Sequence, residues 1–445
     1  MGESTLIMGS SVTGRAVSQV LDSLGETYLV LDDNETFVAE RKEYFRDIRL
    51  TPVNESELKV LVDKFDRVVV SPGVPISHPI FEASFKAGVE IVSEIELGFG
   101  IANNPIIAIT GTNGKTTITS LVTEMLVKSG IAAKSCGNIG DAFVTVAFEN
   151  RFVEGVVLVV EVSSFQLKLT KSFRPNVALW CNFSEDHLDW HPNIEDYFMS
   201  KTKIWENQSQ GDIAIANFDD VSVMKAFEKV TSPTKFTYGV SSGDYCFSND
   251  GVLQGPNYGE IVSIRTLKRK FPTDLSNFAA ATAVALNAGA KAESISEVLS
   301  SFEGLKHRVE VVKEASGVTW IDDSKATTPV ATLAALDGRG HVILIAGGKN
   351  KGLDFNVLRS AKDSIDCVIA IGESGNEVKS CFPDKEVYEA SSMLDAVKYA
   401  YNVAKDSNTV LLSPGGASFD WYDNYKERGD DFRKCVEMVY GSASC

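Results

Sequence analysis

The run Ile106-Ile107-Ala108-Ile109-Thr110-Gly111-Thr112-Asn113-Gly114-Lys115-Thr116-Thr117 constrains this chain most: an apolar, β-branched stretch breaks into a glycine-bearing turn and restarts as a helix headed by Lys and Thr. A strand, loop and helix of this kind make a phosphate cradle. Glycines let backbone N–H groups turn inward, the helix N-terminus adds positive potential, Lys115 reaches the outer phosphates and the Thr116 hydroxyl offers a ligand to Mg2+. The spacing is the short form G-x-x-G-K-T, because Ile109 stands where the longer pattern has its first glycine. A nucleotide is the expected ligand, cradled by Gly111, Thr112, Asn113, Gly114, Lys115, Thr116 and Thr117.

A length of 445 residues suggests about three domains. The formal charge of -17, from 60 acidic and 43 basic residues, argues against nucleic acid as a partner, since neutralising phosphates needs a basic surface. Seven cysteines (Cys136, Cys181, Cys246, Cys367, Cys381, Cys435 and Cys445) are scattered without a C-x-x-C pair, which fits reduced thiols in a cytoplasmic protein. No basic-then-apolar leader opens the sequence, and its apolar runs are of strand length, so no membrane insertion is expected.

Three blocks alternate short β-branched runs with helical patterns, which predicts an α/β fold with mostly parallel sheets. The expected domains are 1–96, a Rossmann-like N-terminal domain; 97–304, a central phosphate-loop ATPase domain; and 305–445, a C-terminal Rossmann-like α/β domain. In the first, strands are predicted at Thr5–Met8, Tyr28–Leu31 and Val68–Val70, with helices near Thr13–Leu24 and Pro79–Lys86. Its first turn, Gly9-Ser10-Ser11-Val12-Thr13-Gly14, carries Ser11 where a dinucleotide fingerprint has its second glycine. That substitution fits a nucleotide sugar or a purely structural turn better than NAD. The second block adds strands Val156–Val160 and Val177–Cys181, a β-like stretch over Lys235–Arg265 and an Ala-rich helix Asn277–Ala288. The third has strands Val318–Ile321, His341–Ala346, Cys367–Ile371 and Val410–Leu412.

Chemistry-bearing side chains collect after the second-block strands. Glu161 follows Val156–Val160, and an acid at a strand's carboxyl end beside a phosphate loop is a natural Mg2+ ligand. The next strand runs into Asn182-Phe183-Ser184-Glu185-Asp186-His187-Leu188-Asp189-Trp190-His191, dense in ligand-type groups. His187 and His191 share the spacing of a zinc pair, but the Glu of H-E-x-x-H is missing and Pro192 interrupts a helix. His187 as a neutral imidazole near magnesium or an anionic substrate is the preferred reading.

Gly111–Thr117, Gly137-Asn138-Ile139-Gly140, Glu161–Leu167, Glu185–Asp189, Tyr197-Phe198-Met199-Ser200-Lys201, His307-Arg308, Asp323-Ser324-Lys325-Ala326-Thr327 and Gly347-Gly348 together resemble the Mur ligases. These are ATP-dependent amide ligases that build the peptidoglycan stem peptide. Ser71-Pro72-Gly73, the stretch Leu412–Asp420 and Arg428-Gly429 resemble their D-glutamate-adding member in particular. The resemblance implies three domains, a cytoplasmic monomer, ATP and two Mg2+ sites, with UDP-N-acetylmuramoyl-L-alanine and D-glutamate as substrates.

It also implies roles. Lys115, Glu161, His187, Lys201 and His307 would be catalytic. Thr116, Glu161, His187 and Lys201 would hold metal, Lys201 as a carbamate formed with CO2. Arg308 and Lys325 would meet the ATP phosphates, Asp323 the ribose, and either Asp274 or Asn277 the adenine. Val12, Thr13, Asp32, Asp33, Asn34, Ser71, Pro72 and Gly73 would line the uridine end; Asn34 stands where relatives often carry Arg. Asn138, Ser163 and His187 would meet the sugar-peptide end, and Thr327, Lys351, Ser418, Phe419 and Tyr425 the incoming amino acid.

Overall fold

The computed structural model describes residues 3–188, 190–350 and 352–442. Lys351, Asp189 and Cys445, all used in the sequence reading, lie outside the described residues. The chain divides into two compact units: Met1–Phe183 with Trp190–Leu267 and Leu275–Ser301, and Ser184–Asp189 with Lys268–Asp274 and Phe302–Cys445. The first unit carries the sheets of both leading blocks.

Its first sheet uses β1 (Ser4–Met8), β2 (Thr27–Asp32), β3 (Ile48–Leu50), β4 (Arg67–Val70) and β5 (Glu90–Val92), all parallel, in the order β3-β2-β1-β4-β5. Alternate residues of β1 feed opposite cores, Leu6 and Met8 on one face and Ile7 on the other. A sheet buried on both faces needs continuous apolar strands, which is why these segments lack the polar alternation of a half-exposed sheet. Strand order reverses beside β1, so the turns after β1 and β4 flank a crevice at the strands' carboxyl ends, where α/β sheets bind ligands.

The second sheet repeats the plan with β6 (Ile106–Thr110), β7 (Ala133–Gly137), β8 (Val157–Glu161), β9 (Val177–Trp180), β10 (Ile213–Asn217) and β11 (Thr234–Tyr238), parallel in the order β11-β10-β9-β6-β8-β7. From β6 the chain goes to the edge at β7, returns to β8 beside β6 and then crosses to β9 on the other side, which puts the loop after β6 at the reversal, between the ends of β8 and β9. Glu161 is the last residue of its strand, in register with Ile109. The β-like stretch resolves into β11 and an antiparallel meander of β12 (Cys246–Phe247), β13 (Val252–Gly255) and β14 (Tyr258–Ser263).

The second unit is built on β15 (Glu310–Ala315), β16 (Val318–Asp322), β17 (Val342–Gly347), β18 (Ile365–Ile371), β19 (Val387–Glu389) and β20 (Thr409–Gly415), ordered β15-β16-β20-β17-β18-β19. β15 and β16 pair antiparallel and the remaining pairs are parallel. Trp320, Ile343 and Val410 pack on one face, and Ile321, Leu344 and Leu411 on the other. The strand ends at Asp322, Gly347 and Gly415 therefore gather at one edge of this unit.

Candidate active site

The phosphate loop is held in shape before any ligand arrives. Gly114 sits at φ +81, and a Cβ there would lie 2.5 Å from Asn277 Oδ1, so conformation and space both require glycine. The helix Lys115–Lys128 follows directly. Asn182, at the end of β9, braces the loop: its Oδ1 accepts from Thr112 N at 3.1 Å and Asn113 N at 2.8 Å, and its Nδ2 donates to Asn113 O at 3.1 Å. Lys115 Nζ folds back to donate to Gly111 O at 2.8 Å and Thr112 O at 2.9 Å. Lys201 Nζ donates to the same Gly111 O at 2.9 Å, so two ammonium groups share one loop carbonyl.

Glu161 ends the adjacent strand. It is 2 % exposed; Oε1 accepts from Asn138 Nδ2 at 2.9 Å, while Oε2 is buried without a hydrogen-bond partner. A buried carboxylate oxygen left unpaired is costly unless something cationic completes it. That orphan atom, the Thr116 position one residue past Lys115, and oxygen-type donors fit a hard cation such as Mg2+. Lys201 is itself 1 % exposed, on the helix Ile194–Thr202 with its Nζ 4.8 Å from the Tyr197 ring centroid. As an ammonium it would repel a metal; converted to a carbamate it would supply oxygen. Burial pushes the neighbouring Cys181 thiol up to about 12, against the pull of Lys115 and Lys201. The thiol stays protonated and inert.

Ser163 also has a structural task. It caps the helix Ser164–Lys168 in a reciprocal box with Gln166, whose Oε1 accepts from Ser163 N and Oγ at 2.9 Å each. Gln166 Nε2 in turn donates to buried Glu94 Oε1 at 2.9 Å. His191, half of the considered zinc pair, has both ring nitrogens engaged, Nδ1 at 2.6 Å from Asp196 Oδ2 and Nε2 at 2.9 Å from Ser164 Oγ.

At the edge of the first sheet, Asp32 accepts from Ser10 N at 2.9 Å and Ser10 Oγ at 2.5 Å through Oδ2, and from Asn34 N at 3.0 Å through Oδ1. It orders the turn after β1. The Asn34 side chain caps the helix Glu35–Glu40, accepting from Thr36 N and Phe37 N, while Asp33 pairs with His78 Nε2 at 3.1 Å. Ser71 lies against Gly9, where a Cβ would come within 2.8 Å of Ser71 Oγ. Val12, at the head of the first helix, is 73 % exposed, and Thr13 follows it, while Pro72 and Gly73 form the turn after Ser71. Arg41, missed in the sequence, reaches this turn: its Nη1 donates to Ser10 Oγ at 2.9 Å and Ser11 Oγ at 3.2 Å. Nothing in local sequence marks it, because the contact spans the strand and the following helix.

The second unit gathers its own cluster. His307, at φ +61, places Nδ1 2.7 Å from Asp322 Oδ2 and donates its backbone N–H to Glu310 Oε2 at 3.0 Å. His307, Glu310 and Asp322 are close enough to share a cation, but they already satisfy one another, which argues for an orienting cluster. Asp323 accepts from Ser413 Oγ at 2.8 Å and Val309 N at 3.2 Å; burial nevertheless pushes its carboxyl up to about 7. Lys325 Nζ stands 4.3 Å from the Tyr425 ring centroid. Ser418 is buried and Phe419 projects at 65 % exposure. Arg308, Thr327 and His187 are partly exposed, and His187 takes φ +57, with its backbone N–H donating to Asp186 Oδ1 at 2.8 Å. Asp274 is committed to Arg269 Nε at 3.1 Å, unlike Asn277, which touches the phosphate loop.

Arg428 was named in the sequence without a role. It is 1 % exposed and donates to Ser324 Oγ at 3.0 Å, Ser324 O at 2.8 Å and Gly416 O at 3.1 Å, joining the loop after β16 to the loop after β20. Burial pulls its guanidinium down to about 10.

Parallel sheets wound on both faces, a phosphate loop at the strand reversal and a buried acid beside it define a nucleotide-dependent α/β enzyme. Residues 109–285 match the Mur ligase middle domain, and residues 307–416 the Mur ligase, glutamate ligase domain. The chain is 37% identical over 98% of its length to the UDP-N-acetylmuramoylalanine--D-glutamate ligase of Aquifex aeolicus, covering 99% of that protein. It is 36% identical to the enzyme of the same name from Alkaliphilus oremlandii, over 98% of each chain. This chain belongs to the Mur ligase family. Among solved structures, MurF of Thermotoga maritima in complex with ADP shares its fold at TM-score 0.62 and 17% identity, over 98% of this chain and 96% of that one. MurC of the same organism does so at TM-score 0.61 and 18% identity, over 99% and 100%.

Proposed function

We propose that this chain joins D-glutamate to UDP-N-acetylmuramoyl-L-alanine, with ATP as phosphoryl donor. The observation that carries the reading is a phosphate loop whose Gly111 carbonyl accepts from both Lys115 and Lys201, with the orphan Glu161 Oε2 at the end of the adjacent strand, in a chain whose full-length relatives bear that name. The L-alanyl carboxylate oxygen attacks the γ-phosphorus and the bond to the β-phosphate oxygen breaks, giving an acyl phosphate and ADP. The D-glutamate amine then adds to the acyl carbon. The tetrahedral adduct collapses as its carbon–oxygen bond to phosphate breaks and the nitrogen loses a proton.

Lys115 neutralises the transferring phosphoryl group, swinging from the loop carbonyls it holds at rest. Mg2+ would be held at Thr116 and Glu161, and a second ion at Glu161, His187 and carbamylated Lys201; bound there, it draws charge off the phosphoryl oxygens. Asn138 fixes the Glu161 carboxylate by its bond to Oε1. Asn277, rather than Asp274, is the adenine contact, since Asp274 is spent on Arg269. Arg308 and Lys325 meet the phosphates, Asp323 the ribose, and Thr327, Lys351, Ser418, Phe419 and Tyr425 the amino acid. His307 orients this group through Asp322. The uridine end lies on Val12, Thr13, Asp32, Asp33, Asn34 and Ser71 to Gly73, and Asn138, Ser163 and His187 serve the sugar-peptide end. The regions 1–96, 97–304 and 305–445 act as separate domains of a cytoplasmic monomer. Among the described residues no helix is long and apolar enough to cross a membrane.

The test is ADP release with ATP, Mg2+ and UDP-N-acetylmuramoyl-L-alanine, comparing D-glutamate, D-lysine, L-alanine, diamino acids and no addition. ADP formed only with D-glutamate, with a new amide product by mass, is the expected result. Turnover indifferent to every amino acid would replace the ligase with an ATP-driven switch.

A further inference from the structure

His191 belongs to none of the roles above, yet it is 1 % exposed and joins the two segments that carry the candidate metal groups. Glu161 ends β8, and three residues later Ser164 opens the short helix Ser164–Lys168, itself 1 % exposed. Lys201 lies in the last turn of the helix Ile194–Thr202, whose first turn carries Asp196. His191 bridges them, Nε2 to Ser164 Oγ at 2.9 Å and Nδ1 to Asp196 Oδ2 at 2.6 Å. The ring is packed by Phe165, stacked at 5.5 Å, Trp190 at 4.7 Å and Tyr197 at 5.2 Å.

The order Ser, His, Asp is that of a nucleophilic triad. Chemistry of that kind needs a serine a substrate can reach, and Ser164 is enclosed. What the arrangement does instead is fix a tautomer. The Asp196 carboxylate keeps the proton on Nδ1, leaving Nε2 to accept the Ser164 hydroxyl proton, and burial lowers the ring's proton affinity, so His191 stays neutral. Lys168 Nζ also pairs with Asp196, and Lys203 Nζ donates to Lys168 O at 3.1 Å and Thr170 O at 2.6 Å. At its other contacts the Lys201 helix touches the phosphate loop, Tyr197 OH lying 3.0 Å from Thr112 Oγ1 and Lys201 Nζ donating to Gly111 O.

We propose that Ser164, His191 and Asp196 form a positioning relay that sets the Lys201 helix against the strand end bearing Glu161, and so holds the divalent-cation site to its working geometry. The inference rests on the ligase reading above. His191 touches neither substrate nor metal; it acts through the two helices it joins.

The variants are Ser164→Ala, His191→Asn, His191→Gln, His191→Leu and the double variant Ser164→Ala/His191→Leu. Ser163 remains the cap, so Ser164→Ala leaves the helix start intact. Asn offers an N–H toward Asp196 and Gln a carbonyl toward Ser164, so each keeps half the relay. Steady-state ADP release gives kcat and KM. Mn2+ binding by electron paramagnetic resonance, with a non-hydrolysable ATP analogue, reads the site without turnover. His191→Leu is expected to lose about 10–100-fold in kcat and about tenfold or more in Mn2+ affinity, with KM for the nucleotide sugar within about twofold. Asn and Gln should each recover part, and Ser164→Ala should cost nothing further once His191 is Leu.

Wild-type kcat and Mn2+ affinity in folded His191→Leu would overturn the relay, as would Ser164→Ala costing the same with and without His191. Should His191→Leu fail to fold, unchanged kcat and Mn2+ affinity in Ser164→Ala overturn it alone. A wild-type enzyme without D-glutamate-dependent ADP release would instead fail the ligase reading, independently of every variant.

Discussion

The phosphate-loop cluster and the cluster of the second unit are both built from buried charge, and they treat it in opposite ways. Around Gly111 two lysines share one loop carbonyl, and Glu161, at the end of the adjacent strand, keeps an Oε2 without a partner. At the ends of β16 and β20, Asp322, Asp323, His307 and Arg428 are tied to one another or to backbone, with Ser413 and Ser324 filling the intervals. An incomplete polar site is costly to fold and ready to bind; a complete one is rigid and presents groups at fixed positions. The first behaves as a socket, the second as a bracket.

The sharpest way to break that contrast is Glu161→Gln, which replaces the orphan oxygen or its partner by an amide. ADP formation should fall by about 10²–10³-fold with the fold intact by circular dichroism. A loss under about tenfold would mean that the socket is not where the cation binds. Next comes Arg428→Met, which strips three hydrogen bonds from the bracket. Hydrogen exchange in β16 and β20 should report about 2–4 kcal/mol lost there, whereas Lys115→Met should cost under about 1.5 kcal/mol while abolishing turnover.

A pH series sharpens the comparison further. Asp323 has its carboxyl raised by burial from 3.8 to about 7. The folded state therefore holds its proton more tightly than the unfolded chain. The stability it contributes is full below about pH 4 and is lost as pH rises through about 7. Exchange protection at β16 should fall by about 1–3 kcal/mol over that window in wild type and flatten in Asp323→Asn. The smallest effect concerns adenine: Asn277→Ala should raise KM for ATP about 2–10-fold at unchanged kcat, and Asp274→Asn less than about twofold.

Much of this was legible in advance where the signal is local. The apolar run ending in Gly111 gave β6, its loop and the helix behind it within a residue, and Glu161 proved the last residue of β8 rather than the one after it. Short edge strands such as β3 and β5 escaped because three residues carry too little periodicity to register. Asn34 and Ser163, read in the sequence as ligand contacts, also cap helices in the structure, a second role that an oxygen-bearing side chain before a helix can take.

The sequence by itself determined the phosphate loop, the parallel α/β plan and the family, because these rest on residue types at fixed short spacings. Only the tertiary structure decided that Glu161 keeps an unpaired oxygen, that Asn277 lies against Gly114 while Asp274 pairs with Arg269, and that Arg41, Asn182, His191 and Arg428 matter. Those facts depend on which distant segments meet at a strand's end, and the partner of a buried polar atom is chosen by packing, not by its neighbours along the chain.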